Sequence, residues 1–88
     1  MQVRIEKSFE SDVFKILDKA LLRKIEAIIK ELMEADSLQH VRNLKKLRGF
    51  SSYYRIRIGS YRLGLEHENN TLILTRFLHR NEFYKYFP

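Results

Sequence analysis

The chain has 88 residues, enough for one hydrophobic core, so we expect a single domain over residues 1–88. It contains no cysteine, which excludes disulfides and thiolate metal sites, and no apolar run is long enough to span a bilayer. The net charge is +6 and the N-terminal segment has no signal-peptide pattern, so we expect a cytoplasmic protein with an anionic partner and no membrane.

The first half of the chain predicts one strand and two helices. Val3 and Ile5 alternate with polar residues, which predicts a short strand. We expect Ser8 to cap a first helix over residues 9–17 and Asp18 to cap a second helix that fades near residues 36–37. The second helix carries an apolar stripe at helical spacing, which we assign to the core and which consists of Leu21, Ile25, Ile28, Ile29 and Leu32.

The next segment predicts a β-hairpin. Residues 37–52 are basic and lack periodicity, so we expect an irregular connection. Two strands with alternating side chains follow, Tyr53–Ile58 and Tyr61–His67. The two residues between them, Gly59 and Ser60, suit a type II′ turn because glycine comes first.

A third strand and an aromatic tail complete the chain. Asn69 and Asn70 mark a turn, and residues 71–78 are mostly apolar, which predicts a strand. Residues 81–87 predict either an extended end or a short helix, and the helix places Arg80 and Tyr84 on one face because they are four residues apart. The order of elements predicts an α+β fold with an N-terminal strand, two helices and a three-stranded antiparallel meander, the helices packing on one sheet face.

The positive charge is concentrated in the second half, on one face of the hairpin. Residues 45–88 hold nine Lys or Arg against three Glu, whereas residues 1–44 hold eight of each sign. Pairing outward from the turn places Arg57 opposite Arg62 and Arg55 opposite Gly64, on the face away from the core. Opposed like charges destabilise a sheet, so the pattern indicates a phosphate site with a hollow at Gly64 rather than a solvated face.

The second half lacks the residues of common metal-dependent nucleases. Its only acidic residues are Glu66, Glu68 and Glu82, and no glycine-rich phosphate loop is present, so we expect neither a metal nor a cofactor. RNA carries its own nucleophile, the 2′-hydroxyl, which a protein need only align while arginines stabilise the developing charge. DNA has no such group, which favours RNA as the substrate of any cleavage.

Three segments together resemble the RelE/ParE superfamily of toxins from toxin–antitoxin pairs: residues 43–49 (NLKKLRG), 54–62 (YRIRIGSYR) and 79–84 (HRNEFY). The resemblance implies a microbial-RNase-like α+β fold and a cognate antitoxin that wraps the toxin. RelE-like members cleave mRNA in the ribosomal A site, whereas ParE-like members poison DNA gyrase. This sequence is similar to the RelE-like branch, which implies an mRNA endoribonuclease that inhibits translation and has the ribosome and mRNA as partners.

The resemblance also implies the catalytic residues. Arg55 and Arg57 stand where the RelE-like branch has lysines or arginines on the second strand. Arg62 and Arg80 match its phosphate-binding arginines. Tyr84 matches its C-terminal tyrosine, which has a catalytic or base-stacking role. Further RNA contacts are expected from Lys45, Lys46, Arg48 and His79.

Two questions stay open at the level of sequence. Arginine stays protonated, so proton abstraction is left to Tyr84 or His79, of which we favour Tyr84. The function has two alternatives, a ParE-like gyrase poison and a non-catalytic module of the same fold that binds RNA or an antitoxin.

The antitoxin itself should carry an acidic, amphipathic segment because it covers a +6 protein. We expect the antitoxin to make apolar contacts with the outward-facing sides of the helices and with the tail residues Phe83, Tyr86 and Phe87.

Overall fold

Five strands form one mixed sheet in the computed structural model, which describes residues 1–88. In chain order they are β1 (Gln2–Ile5), β2 (Leu44–Lys46), β3 (Tyr53–Ile58), β4 (Tyr61–Glu68) and β5 (Thr71–His79). Their spatial order is β1-β5-β4-β3-β2, with β1 parallel to β5 and every other neighbouring pair antiparallel. The predicted α+β class and the β3–β4–β5 meander are confirmed, and β1 and β2 extend the sheet on either side.

Three helices accompany the sheet: α1 (Lys7–Phe14), α2 (Lys19–Glu34) and α3 (Arg80–Tyr86). Asp18 caps α2 as predicted, because its carboxylate accepts hydrogen bonds from the backbone N–H groups of Ala20 (2.9 Å) and Leu21 (3.2 Å). The predicted bounds of the first helix were wrong. It ends at Phe14, and Leu17, predicted to lie within it, is 90% exposed in the connection to α2. None of the helices combines the length and apolar composition that crossing a bilayer requires.

The predicted capping role of Ser8 was also wrong, because Ser8 lies inside α1 and bonds to the sheet. Its hydroxyl donates to the backbone carbonyl of Thr75 at 2.6 Å. One turn later, the Asp12 carboxylate accepts the backbone N–H of Phe77 at 2.9 Å. Both groups lie on the part of β5 beyond Leu74, where pairing with β1 ends. Helix α1 therefore satisfies backbone groups on a sheet edge that would otherwise be unpaired.

The main core lies between the α1–α2 pair and one face of the sheet. From the predicted stripe, Ile25 and Leu32 are buried, and the other three residues are half-buried against the same cluster. Phe9 of α1 contacts Phe77 of β5 edge to face, with ring centroids 6.3 Å apart. The assignment of the α2 stripe to the core is confirmed.

The two predicted helices, α1 and α2, pack on one sheet face as expected, and the additional helix α3 lies on the opposite face. Side chains alternate along a strand, so Gly64 of β4 faces away from its core neighbour Leu63. A Cβ atom built on Gly64 would lie 2.7 Å from the ring of Phe87. The predicted hollow at Gly64 is therefore filled by the aromatic tail. Phe83 and Phe87 are almost fully buried there. Burial of these two large rings stabilises the short helix against the sheet.

The segment predicted as an irregular connection contains regular structure that the sequence did not reveal. A 3₁₀ turn spans Leu38–His40, and β2 spans Leu44–Lys46. Strand β2 pairs antiparallel with β3, so that Lys45 lies opposite Arg55. Three residues with two adjacent lysines carry no alternation that could mark a strand, and the pairing partner supplies the order instead.

Candidate nucleic-acid interface

The β3–β4 hairpin has the register that the sequence predicts. Arg57 lies opposite Arg62, and Arg55 lies opposite Gly64. The turn begins at Gly59, whose φ of 58° is a backbone conformation that glycine adopts without steric cost. The turn thereby determines which arginines face each other across the two strands.

Strand β2 adds a second pair of opposed like charges. Lys45 lies directly opposite Arg55, whose other cross-strand neighbour is Gly64. Direct opposition of like charges lowers the stability of a sheet, and here it occurs on both sides of β3. The arrangement is favourable when an anion lies between the two cations.

These residues border a pocket of about 230 Å³, which we call the basic pocket. No acidic residue lines it, and its walls are formed by Lys45, Lys46, Leu47, Arg48, Arg55 and Tyr84. Four cations around one small cavity attract an anion, and the arginine forks match the geometry of phosphate. Five of the nine residues that the sequence analysis assigned to the site therefore meet in one place.

Helix α3 brings Tyr84 to the basic pocket. Arg80 is its first residue, and the Arg80 backbone N–H donates to the carbonyl of Ser60 at 2.8 Å, which ties the helix to the hairpin turn. Arg80 and Tyr84 are four residues apart and share one side of α3, as predicted for a helical tail. Arg80 is exposed and lies one turn from the basic pocket without lining it.

Arg62 is buried, unlike the open arginine expected from the sequence. Its side chain is turned toward the hairpin, and Nη1 donates to the carbonyl oxygens of Gly59 and Tyr61, both at 2.9 Å. Its Nε is buried and has no hydrogen-bond partner, and neither ion pair of the structure includes it. A buried guanidinium with an unused donor and no carboxylate partner has unmet capacity to bind an anion. Arg57, across the strand, is exposed.

His79 lies on the other side of the sheet from the basic pocket. Its ring meets Tyr61 edge to face with centroids 5.5 Å apart, and Tyr61 in turn stacks on Phe77 of the main core. The Nδ1 atom accepts the backbone N–H of Asn81 at 3.1 Å, which caps α3. The structure thus places His79 in a helix-capping position, apart from the five residues that meet at the pocket.

An ion pair that the sequence did not predict joins Asp12 of α1 to Arg76 of β5, beside α3. The Asp12 carboxylate accepts hydrogen bonds from Arg76 Nε at 2.8 Å and from Arg76 Nη2 at 3.1 Å. The hydrogen bond to Asp12 raises the pKa of Arg76 above its ordinary value, and burial acts in the opposite direction. The guanidinium also lies 5.9 Å from the ring centroid of Tyr86. The available signal was the position of Asp12 three residues after Phe9, on the buried side of α1.

Comparison with known proteins places the chain in a family. Residues 3–84 match the family described as the ParE toxin of the type II toxin–antitoxin system, parDE. Toxin RelE3 of Methanocaldococcus jannaschii is 39% identical over 89 aligned positions that span all of both chains. A chain of the RelB–RelE antitoxin–toxin complex from Methanococcus jannaschii is 36% identical, with a TM-score of 0.82 and coverage of 97% of this chain and 99% of that one.

A more distant structure supports the fold. The archaeal RelE–RelB complex from Pyrococcus horikoshii OT3 contains a chain with 20% identity and a TM-score of 0.74, covering 93% of this chain and 97% of that one. The family match and the full-length relative agree with the segments that resembled such toxins in the sequence. The chain belongs to the RelE/ParE superfamily of toxins from type II toxin–antitoxin systems.

Proposed function

We propose that this toxin is a ribosome-dependent, metal-independent mRNA endoribonuclease that inhibits translation. The observation that carries the proposal is the basic pocket, in which four cations and the Tyr84 phenol surround a space without any acidic residue. A site that cleaves RNA through its own 2′-hydroxyl needs positive charge at the phosphate and a group that exchanges protons. The basic pocket supplies both.

The reaction assigns a role to each part of the site. The 2′-hydroxyl loses its proton as its oxygen forms a bond to the adjacent phosphorus. The bond from phosphorus to the 5′-oxygen of the next nucleotide breaks, the departing 5′-oxygen takes up a proton, and a 2′,3′-cyclic phosphate remains. Arg55 and Lys45 bind the scissile phosphate and stabilise the extra negative charge of the transition state. Tyr84 lies at the pocket and is 59% exposed as a residue, so that it can stack on a base or take part in proton transfer.

The remaining basic residues position the RNA. Arg57 is exposed beside the pocket, and the buried Arg62 adds its positive charge close to the hairpin turn. Arg80 continues the charge along the side of α3 that carries Tyr84. We assign Arg57 and Arg80 to contacts with neighbouring phosphates of the strand and Arg62 to their electrostatic attraction, because contacts to consecutive phosphates set the register of single-stranded RNA.

Primer extension on a translated mRNA tests this function. Expression of the toxin without its antitoxin should arrest growth and produce new 5′ ends inside the coding region. The same mRNA with its start codon removed is the matched control, and it should stay intact because no ribosome presents it. Equal cleavage of both messages contradicts ribosome dependence, and intact messages with salt-dependent RNA binding indicate a non-catalytic RNA-binding module.

A DNA gyrase poison is the second candidate, and the match to the ParE family favours it. The basic pocket with Tyr84 argues for RNA instead, because stabilising a trapped protein–DNA complex requires no such constellation. Pulse labelling after toxin induction separates the two. Loss of amino-acid incorporation before thymidine incorporation supports the endoribonuclease, whereas arrested DNA synthesis with continued protein synthesis supports the gyrase poison.

We further propose a cognate antitoxin with an acidic, amphipathic segment. The solved relatives from M. jannaschii and P. horikoshii are antitoxin–toxin complexes, and this chain carries a net charge of +6. Two of the tail residues expected to contact it, Phe83 and Phe87, are buried within the toxin, so that expectation was wrong for them. The exposed large apolar residues include Tyr86 of the tail, and the two most exposed are Phe14 at the end of α1 and Leu17 just beyond it.

Co-purification tests the partner. The tagged toxin should retain one small acidic protein encoded beside it, and high salt should weaken the complex more than it weakens the toxin fold. Substitution of both Phe14 and Leu17 by Ser should reduce retention, because their exposed surface then no longer contributes apolar contact. Retention of a strongly basic protein, or of none, contradicts the proposed chemistry of the partner.

A further inference from the structure

We propose that Gly64 is a positioning residue for Tyr84, acting through the ring of Phe87. The inference rests on the proposed function of Tyr84 in the basic pocket. Gly64 lies on β4, and its Cα partner on β3 is Arg55, which lines the same pocket. The absence of a side chain at Gly64 lets α3 approach the sheet directly beside the site.

The contact leaves no space for a larger residue. A Cβ atom on Gly64 would lie 2.7 Å from Cδ1, 2.8 Å from Cε1 and 2.9 Å from Cγ of Phe87. Ordinary carbon–carbon contacts are about 3.5–4.0 Å, so an added methyl group displaces the ring by about 1 Å. The backbone φ of Gly64 is not in the left-handed region, so the effect of a side chain there is steric and acts on Phe87.

The ring of Phe87 is connected to Tyr84 by direct aromatic contacts. Phe87 stacks on Phe83 with centroids 5.0 Å apart, and Phe83 meets Tyr84 edge to face, also at 5.0 Å. The backbone N–H of Phe87 donates to the Phe83 carbonyl at 2.9 Å, which couples the ring to the last turn of α3. A displacement of Phe87 is therefore transmitted to the helix that carries Tyr84.

Tyr53 limits how the ring can respond. Its ring lies edge to face against Phe87, with centroids 5.6 Å apart, and Phe50 packs on Tyr53 in the same way at 5.6 Å. These rings oppose a sideways movement of Phe87 toward β3. The remaining response is to lift α3 from the sheet, which moves Tyr84 relative to Arg55.

The variant Gly64→Ala tests the inference with two readouts. A shift of about 1 Å in a catalytic group lowers the rate about 100-fold, so kcat should fall by that factor with little change in KM. Independently of activity, the ¹⁹F resonance of 3-fluorotyrosine at position 84, assigned with Tyr84→Phe, should shift. The double variant Gly64→Ala/Phe87→Val removes the two closest ring atoms and should return both the resonance and kcat toward the wild-type values.

Ile25→Val is the matched control, because it perturbs the core on the other face of the sheet. It should leave the resonance and kcat unchanged, which separates positioning from general destabilisation. An unchanged Tyr84 resonance in Gly64→Ala, or a shifted resonance with wild-type kcat, overturns the positioning role. If the resonance shifts and recovers in the double variant but the wild-type toxin leaves translated mRNA intact, Gly64 still positions Tyr84 and the endoribonuclease proposal fails.

Discussion

Arg57 and Arg62 lie directly opposite each other on β3 and β4, yet Arg57 is exposed and Arg62 is only 8% exposed. Arg62 turns back toward the hairpin and donates to the carbonyls of Gly59 and Tyr61. The two guanidinium groups thus differ in role. Arg57 is a free surface charge, whereas Arg62 is a buried charge that stabilises the hairpin turn.

Arg57→Ala should reduce mRNA cleavage while leaving stability unchanged or slightly increased. Loss of its contact to a neighbouring phosphate misplaces the RNA, and a misplacement of about 1 Å costs about 100-fold in rate. The free energy of unfolding should stay within about 0.5 kcal/mol of wild type, because the side chain is exposed and its removal relieves a like-charge pair. Urea denaturation and cleavage on stalled ribosomes measure the two effects. A clear loss of stability would contradict the surface role of Arg57.

Arg62→Ala should destabilise the protein as well as reduce cleavage. The substitution removes two hydrogen bonds to backbone carbonyls and leaves those carbonyls without their partner, at a cost of about 1–3 kcal/mol. This outcome differs from the one that cross-strand repulsion alone predicts, namely unchanged or increased stability. A lower urea midpoint for Arg62→Ala than for Arg57→Ala confirms the structural role of Arg62. Equal midpoints contradict it.

Tyr84→Phe should preserve the fold and RNA binding but reduce cleavage by about 10²–10⁴-fold if the phenol transfers a proton. The ring stays in place, and the hydroxyl belongs to a residue that is 59% exposed, so stability should not change. Single-turnover cleavage and fluorescence anisotropy on the same RNA separate rate from affinity. Tyr84→Ala is the comparison, since only that variant also loses stacking. Wild-type cleavage by Tyr84→Phe would restrict the residue to stacking.

The basic pocket should determine the salt dependence of RNA binding. For single-stranded RNA, the slope of log K against log salt falls by about 0.7 for each phosphate contact that is lost. Lys45→Ala should therefore flatten the slope by about 0.7. Lys24→Ala on α2 removes the same charge away from the pocket and should leave the slope unchanged. Equal slopes for the two variants would mean that RNA binding depends on the net charge of the protein and not on the basic pocket.

Asp12→Asn should lower the free energy of unfolding by about 1.5–3 kcal/mol, because it weakens the charge-assisted hydrogen bonds that the partly exposed Arg76 guanidinium makes with the buried Asp12 carboxylate. Glu31→Gln breaks the exposed pair with Arg42 and is the matched control, with an expected cost below about 0.5 kcal/mol. Equal losses of unfolding free energy for Asp12→Asn and Glu31→Gln, measured by urea denaturation, would contradict a larger stabilising role for the Asp12–Arg76 pair.

The Asp12–Arg76 ion pair predicts how the stability of the protein depends on pH. The pKa of Arg76 is raised in the folded state by its hydrogen bond to Asp12, so its contribution to stability is fully present below its ordinary unfolded-state pKa and is lost only as the pH rises through the higher folded-state pKa. Arg76 should therefore contribute no variation of stability with pH around neutrality. Comparison of the wild type with Arg76→Met across neutral pH measures this, and a difference that changes with pH there would contradict it.

The features read correctly from the sequence are those set by local rules. Asp18 caps α2 because a carboxylate before an amphipathic stretch meets free N–H groups in the next turn. Gly59 starts the turn, and the turn alone sets the pairing of Arg57 with Arg62. Alternation then assigns the sheet faces, and helical spacing places Arg80 and Tyr84 on one side of α3.

The features missed from the sequence depend on partners distant along the chain. The lysines of β2 form a strand because β3 pairs with them, and Ser8 bonds to a carbonyl 67 residues away instead of capping its own helix. The sequence alone determined the α+β class, the hairpin register and the concentration of positive charge, because turn geometry and periodicity act over a few residues. Only the tertiary structure decided that Arg62 is buried, that His79 faces away and that Phe87 covers Gly64, because those outcomes depend on which elements pack together.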